Sequence, residues 1–237
     1  MLECLAAGRR RVYRVLAVES AAGALREAVR RNGRLAGALE VVGREDLQRV
    51  AGCTQTAAAE VDPYPYVDLG EILAAGENSG EPPLILLLDM LQDPQNLGTL
   101  LRTAEAVGVL GVVLPYRGAV GVTPAVVRAS AGASEHLRIA LANLAQSVAA
   151  LQQAGVWVAG LAGEPQAVPL EEQDLRGPLA LVVGNEGEGM RRLVRESCDV
   201  LWRIPQRGRM ESLNASVAGS LALYRIWEAR GFPGRPG

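Results

Sequence analysis

Residues 203–220 read Arg-Ile-Pro-Gln-Arg-Gly-Arg-Met-Glu-Ser-Leu-Asn-Ala-Ser-Val-Ala-Gly-Ser, three pieces in succession. The apolar run Val200 to Ile204 predicts a strand that enters a loop carrying Pro205 and Gly208. The loop ends at Ser212 or Asn214, and either residue type suits the N-cap of the helix that follows. That helix opens on small residues (Ala215, Ser216, Ala218, Gly219, Ser220), so another backbone or a ligand can approach it closely. It then turns large and apolar at Leu221, Leu223, Tyr224, Ile226 and Trp227, as a core helix does. A strand leading through a polar loop into a tightly packed helix start is where an α/β sheet takes its ligand.

Working outward, the same alternation fills the chain from Leu84 onward. The apolar runs Leu84–Leu88, Gly111–Leu114, Leu137–Ile139, Val156–Ala159, Leu179–Val183 and Val200–Ile204 read as buried parallel strands. Helical patterns lie between them at Leu97–Val107, Pro124–Ala131, Leu141–Ala154 and Glu188–Glu196, with a last helix from about Ser212 to Arg230. This predicts an α/β domain, a parallel sheet with helices on both faces, over residues 84–237. Residues 1–62 predict a small α/β module: strand Tyr13–Val18, helix Ala21–Arg31, strand Ala36–Val42, helix Arg44–Val50, strand Gln55–Val61. Between the two, residues 63–83 are rich in Pro, Gly, Ser and Asn, which predicts a linker.

Composition excludes several chemistries. All 24 basic residues are arginine, so no lysine is present for a Schiff base, for pyridoxal phosphate or for a P-loop. The single histidine, His136, excludes a multi-histidine metal site. Cys4, Cys53 and Cys198 are odd in number and far apart, which suits neither a disulfide framework nor a zinc site. No run approaches a membrane span, and the N-terminus lacks the apolar core of a signal peptide, so a cytoplasmic protein is expected. Net charge is −2, yet arginine is concentrated locally. Residues 1–34 hold eight arginines against three glutamates, and residues 191–209 hold six against two acids. Either cluster suits phosphate contact or a solvated surface.

Two further stretches carry chemistry. In Asp89 to Thr103, Asn96 suits a helix cap, Leu97, Leu100, Leu101 and Ala104 form a buried stripe, and Arg102 falls on the opposite face. Gly184-Asn185-Glu186-Gly187-Glu188-Gly189 follows the strand Leu179–Val183 but has neither dinucleotide nor P-loop spacing. Its two glutamates would repel a pyrophosphate and favour a cationic or neutral ligand.

In this order and at these distances the motifs resemble the SpoU (TrmH) family of RNA ribose 2′-O-methyltransferases, of the SPOUT superfamily. The resemblance lies in Asp93-Pro94-Gln95-Asn96-Leu97-Gly98 with Arg102, in Val182-Val183-Gly184-Asn185-Glu186-Gly187, and in Ile204-Pro205 with Ser212-Leu213-Asn214-Ala215-Ser216. Ala129 to Ala133 joins it, and the segments Ala6–Arg10 and Val61–Tyr64 are similar to the subgroup acting on a guanosine of 23S rRNA. The resemblance implies a SPOUT α/β-knot, with a deep trefoil knot, and a small N-terminal L30-like substrate domain. It implies S-adenosyl-L-methionine as cofactor, a homodimer, and no metal. By the same resemblance Arg102, Asn96, Glu186, Ser212 and Asn214 are catalytic candidates, and Gly184, Ile204 and Leu213 are cofactor contacts. Arg9, Arg10 and Arg11 are the candidate contacts to substrate RNA. A tRNA ribose methyltransferase, a non-catalytic RNA-binding assembly factor and a nucleotide-dependent oxidoreductase are the alternatives. The last lacks a glycine fingerprint where Asp89-Met90-Leu91-Gln92 stands.

Overall fold

The computed structural model describes residues 1–32, 39–52, 55–77, 79–164, 166–209 and 212–234, the side chains of residues 30–32 excepted. Arg34, Cys53, Met210, Glu211 and the first three residues of the strand expected over 36–42 lie outside them. The chain divides into two units, Met1–Pro65 and Tyr66–Gly237.

The first unit runs α1 (Leu2–Ala7), β1 (Val12–Ala17), α2 (Glu19–Asn32), β2 (Leu39–Val41), α3 (Arg44–Ala51) and β3 (Ala57–Val61). Its sheet has the order β2-β1-β3, with β1 parallel to β2 and antiparallel to β3. One side is sealed by Leu5 against Val29, the other by Leu16 and Val18 against Leu47. The short helix α1 is an addition to the expected pattern; it ends at Gly8, whose φ of 62° is the left-handed geometry that glycine adopts without strain.

The second unit runs α4 (Leu69–Glu77), β4 (Leu84–Leu88), α5 (Pro94–Ala106), β5 (Gly111–Pro115), α6 (Pro124–Ala129), β6 (Ile139–Ala142) and α7 (Leu144–Gln153). It continues through β7 (Trp157–Leu161), β8 (Val168–Pro169), β9 (Leu179–Val183), α8 (Arg192–Ser197), β10 (Val200–Arg203) and α9 (Ala215–Ala229). The sheet order is β6-β5-β4-β9-β7-β10-β8, and all its pairings are parallel. Every residue of β4, β5 and β9 is buried, because helices cover both faces of the central strands. Ile85 and Leu87 point into a cluster with Ile72 of α4, Leu144, Val148 and Leu151 of α7, and Val194 of α8. By the period-two alternation Leu86 and Leu88 face the other layer, where α5 lies against α9. There the Thr103 and Ser220 hydroxyls meet at 2.9 Å.

Three expectations are corrected. Residues 66–83 are not a linker: Ile72 is fully buried, the amide of Val67 donates to Ile139 at 3.0 Å, and a Cβ on Gly111 would lie 2.6 Å from Ile72. Of the glycines there, Gly76 is the packed one, where a Cβ would lie 3.1 Å from Leu110. The helix expected over Glu188–Glu196 begins only at Arg192, because Asn185 folds the preceding residues into a turn. The sheet also gains β8, whose two residues carry too little pattern to be read.

Candidate functional site

Three loops at the carboxyl ends of β7, β9 and β10 enclose a cleft of about 290 Å³. Leu161 to Glu164, Gly184 to Met190, and Ile204, Ser212 and Leu213 line it, with Ala215 and Ala218 of α9 at its side. The middle loop owes its shape to Asn185. The Asn185 Oδ1 accepts from the backbone amides of Gly187 (2.9 Å) and Glu188 (2.7 Å), and the backbone amide of Asn185 donates to the Gly189 carbonyl (3.1 Å). The loop thereby folds back on Gly184, where a Cβ would lie 2.5 Å from the Gly189 carbonyl oxygen and nearer still to the Met190 nitrogen. Only glycine fits at that position.

Capping decides which side chains reach the cleft. Asp93, not Asn96, caps α5: its carboxylate accepts from the amides of Gln95 (3.1 Å) and Asn96 (3.3 Å), and Pro94 takes the first helical position. The Asn96 side chain is thereby free to donate to Glu186 Oε1 at 2.8 Å. At α9 the cap is Asn214, whose Oδ1 accepts from Ser216 N (3.0 Å), Val217 N (3.2 Å) and the Ser216 hydroxyl (2.6 Å). Its Nδ2 donates to Asn96 Oδ1 at 3.1 Å and to Glu186 Oε1. One closed triad thus ties together the segments after β4, β9 and β10. A carboxylate meeting two amide donors is a charge-assisted arrangement that holds the loops in register.

The structure therefore brings Asn96, Glu186 and Asn214 together, and puts Gly184, Ile204, Leu213 and Ser212 on the cleft beside them. It does not join Arg102 to that group. Arg102 lies six residues along α5 from Asn96, a rise of about 9 Å; it is exposed, and no hydrogen bond or ion pair reaches it among the described residues. In the first unit, Arg9 donates to the Pro65 carbonyl (3.3 Å), and Arg10 donates to the Asp62 carbonyl from Nε (2.8 Å) and Nη2 (2.6 Å). Arg11 instead lies over the Tyr13 ring, 5.1 Å from its centroid.

Sequence reading passed over two neighbours of the site. Asp89 is fully buried and accepts from Arg191 at its amide (2.8 Å) and its Nε (2.7 Å), pinning the loop after β9 to the end of β4. The signal was present: an acid ending an all-apolar run needs a partner once buried. Elsewhere on the cleft wall Arg195 pairs with Glu164, and Trp202 joins the lining. The Trp202 Nε1 and the Arg195 Nε are buried without a partner in the described structure. Cys198 offers no nucleophile here, since burial, and after it the neighbouring Asp199, push its thiol up to about 12.

The walls of the cleft match the parts of S-adenosylmethionine. Backbone and small side chains (Ala162, Gly163, Gly187, Ala215, Ala218) leave space for a flat, bulky group, Glu186 and Glu188, with Glu164 taken by Arg195, suit a cationic one, and two orphan donors await acceptors. The residues fit the cofactor. Among the described residues no cluster of histidine, cysteine or acid can hold a metal ion, and no helix is long and apolar enough to cross a membrane.

Comparison with known proteins agrees with this geometry. Residues 83–224 match the SpoU rRNA Methylase family. The chain is 44% identical over 191 residues to the 23S rRNA (guanosine-2′-O-)-methyltransferase RlmB of Pseudomonas syringae, covering 79% of this chain and 75% of that one. It is 43% identical over 194 residues to YacO of Bacillus subtilis, provisionally named a TrmH family tRNA/rRNA methyltransferase, covering 81% of this chain and 78% of the relative. In fold it is similar to the SpoU methyltransferase AviRb of Streptomyces viridochromogenes, crystallised with AdoMet: TM-score 0.79, 24% identity, 97% of this chain and 88% of the other. The family match takes in the end of β4, the loop after β9 and the cap of α9, the three segments that the triad joins. The chain belongs to the SpoU rRNA methylase family, and is an S-adenosylmethionine-dependent RNA methyltransferase.

Proposed function

We propose that this enzyme methylates a ribose 2′-hydroxyl of RNA, at a guanosine of 23S rRNA. The observation that carries the reading is the Asn96–Glu186–Asn214 triad at the rim of a cleft shaped by Gly184, Ile204 and Leu213. The Pseudomonas relative's specificity supports the guanosine, and its similarity extends over three quarters of that relative.

Bound in the cleft, S-adenosylmethionine supplies a methyl group already activated on a sulfonium. The chain's own task is then alignment and the handling of one proton. Gly184, Ile204 and Leu213 hold the cofactor, largely through backbone groups. Asn96, Glu186 and Asn214 keep the three loops at fixed separation, and Ser212, exposed at the cleft's lip, meets the ribose. Arg102 binds the target phosphate and polarises the hydroxyl. A guanidinium is a poor base, so the proton passes to phosphate or water. In the first unit, Arg11 and Tyr13 offer the RNA a cation and a ring, while Arg9 and Arg10 are engaged with backbone carbonyls. Val217, Leu221 and Tyr224 form an exposed apolar stripe on α9, which supports pairing of two copies through that helix. The trefoil knot belongs to the same proposal, formed by the segments that follow β9 and β10.

The test is transfer of labelled methyl to unmodified 23S rRNA and, separately, to unmodified tRNA, with the product nucleoside mapped. Label recovered as 2′-O-methylguanosine from 23S rRNA is expected; label in tRNA alone overturns the substrate and keeps the chemistry. Arg102→Ala is expected to lower turnover on the order of 100-fold, with cofactor affinity retained. Turnover within a few-fold of wild type would remove Arg102 from the mechanism.

A further inference from the structure

A second groove, of about 400 Å³, opens at the carboxyl ends of β5 and β6 and shares no lining residue with the cofactor cleft. Its floor is apolar, formed by Pro115, Ala142, Leu144 and Val194. Its rim carries Tyr116, Arg117, Arg191, Arg192 and Leu193, and among the described residues no acidic side chain lines it. Tyr116 is 71% exposed, so its ring is open to a stacking partner.

The arginines are not equally free. Arg191 is held by Asp89, which fixes its guanidinium while leaving the side chain half exposed. Arg192 pairs with Glu196 one turn along α8 at 2.9 Å, with both side chains exposed, so the pair is weak and screened. Arg117 is exposed and has no hydrogen bond or ion pair among the described residues. An exposed ring above an apolar floor, ringed by arginines, is the chemistry that stacks a base and neutralises its phosphate.

Position gives the groove its relation to the reaction. Along the carboxyl edge the order is β6-β5-β4-β9-β7-β10; the groove lies between the first pair and residues Arg191 to Val194, on the side of α7 and α8, Asn96 follows β4 on the side of α5, and the cleft is at the last three. Neighbouring strands lie about 4.8 Å apart, so β5 and β9 are separated by roughly 10 Å. That is the span of a few stacked nucleotides at ~3.4 Å each. We infer that this groove is a second RNA subsite on the catalytic unit, in which Tyr116 stacks a base flanking the methylated nucleotide and Arg117 contacts its phosphate. The inference rests on the reading of the enzyme as an RNA methyltransferase.

The experiment measures binding of full-length protein to an unmodified 23S rRNA transcript at several salt concentrations, alongside calorimetric titration with S-adenosylmethionine. Tyr116→Ala should raise the RNA Kd about 10-fold, and Tyr116→Phe should leave it within about twofold, since a phenyl ring still stacks. Arg117→Glu should weaken binding and lower the slope of log affinity against log salt by about one. Cofactor Kd and thermal melting should stay at wild-type values in all three. RNA affinity unchanged in both Tyr116→Ala and Arg117→Glu overturns the subsite and leaves the methyltransferase reading standing. If light scattering shows that these variants dissociate a wild-type dimer, the groove is a contact between copies and the inference fails. Absence of RNA binding by the wild-type protein overturns the subsite and the substrate reading together.

Discussion

Asn214 divides its side chain between two tasks. Its oxygen caps α9 and its nitrogen joins Asn96 and Glu186, so helix stability and loop spacing meet in one residue. Substitution separates them. Asn214→Ala removes both, and should lower stability by about 1 kcal/mol through the lost cap, and weaken cofactor binding as well. Asn214→Asp keeps an acceptor at the helix start, where negative charge is favoured, but sets a second carboxylate against Glu186. It should melt close to wild type while binding S-adenosylmethionine more weakly; calorimetry and thermal melts on both variants check this. Cofactor affinity unchanged in Asn214→Asp would mean that the triad does not shape the cleft. The cap at this position was readable from the sequence, because capping is local. The other half of the amide was not, since its partners stand 28 and 118 residues away. At α5 the same limit misdirects the reading: Asn96 and Asp93 are both capping residue types, and the resolving signal is Pro94, which marks the first helical position and makes Asp93 the cap.

Between elements, two glycines set how closely α5 approaches its neighbours. A Cβ on Gly98 would lie 2.8 Å from the backbone nitrogen of Ser130 and nearer still to Ala129. A Cβ on Gly219 would meet Leu100 Cδ2 at 2.5 Å, the end of a side chain that can turn aside. Gly98→Ala should therefore destabilise by about 1–3 kcal/mol through overpacking, despite the gain of ~1 kcal/mol in helix propensity. Gly219→Ala should be nearly neutral. Urea unfolding of the two variants tests the ordering, and a larger loss at Gly219 would contradict it. Strands buried on both faces were the most legible elements, because Leu84–Leu88 and Leu179–Val183 admit no polar residue. The loop 184–191 was the least legible. Its glutamates and Arg191 suit a helix by composition, but Asn185 captures two amides and Gly189, at φ 69°, takes a left-handed turn.

For the molecule as a whole, the apolar stripe on α9 makes a prediction about assembly. Val217, Leu221 and Tyr224 are 46%, 49% and 52% exposed, at spacings that keep them on one helix face. Leu221→Glu should halve the solution mass measured by light scattering, with the monomer still showing a cooperative melt. A wild-type mass equal to one chain, or a dimeric variant, would remove α9 as the interface. The sequence showed two units but misjudged where the second starts. Residues 66–83 have the composition of a tether, and only the burial of Ile72 against Gly111 reveals them as part of the larger unit. Composition reports what a segment is made of, and contact with residues far along the chain decides what it does.

The sheet order has a consequence for the life of the chain before it is an enzyme. β4 is flanked by β5 and β9, and Leu88 pairs with Val183, 95 residues later. During synthesis at about 5–20 residues per second, five consecutive aliphatic residues emerge and wait about 5 to 20 s for that neighbour. For that interval the most water-averse strand of the protein has one open edge, the condition under which nascent chains adhere to one another. Shelter of that edge at the ribosome exit should then raise the recovered yield of this protein without changing its final stability.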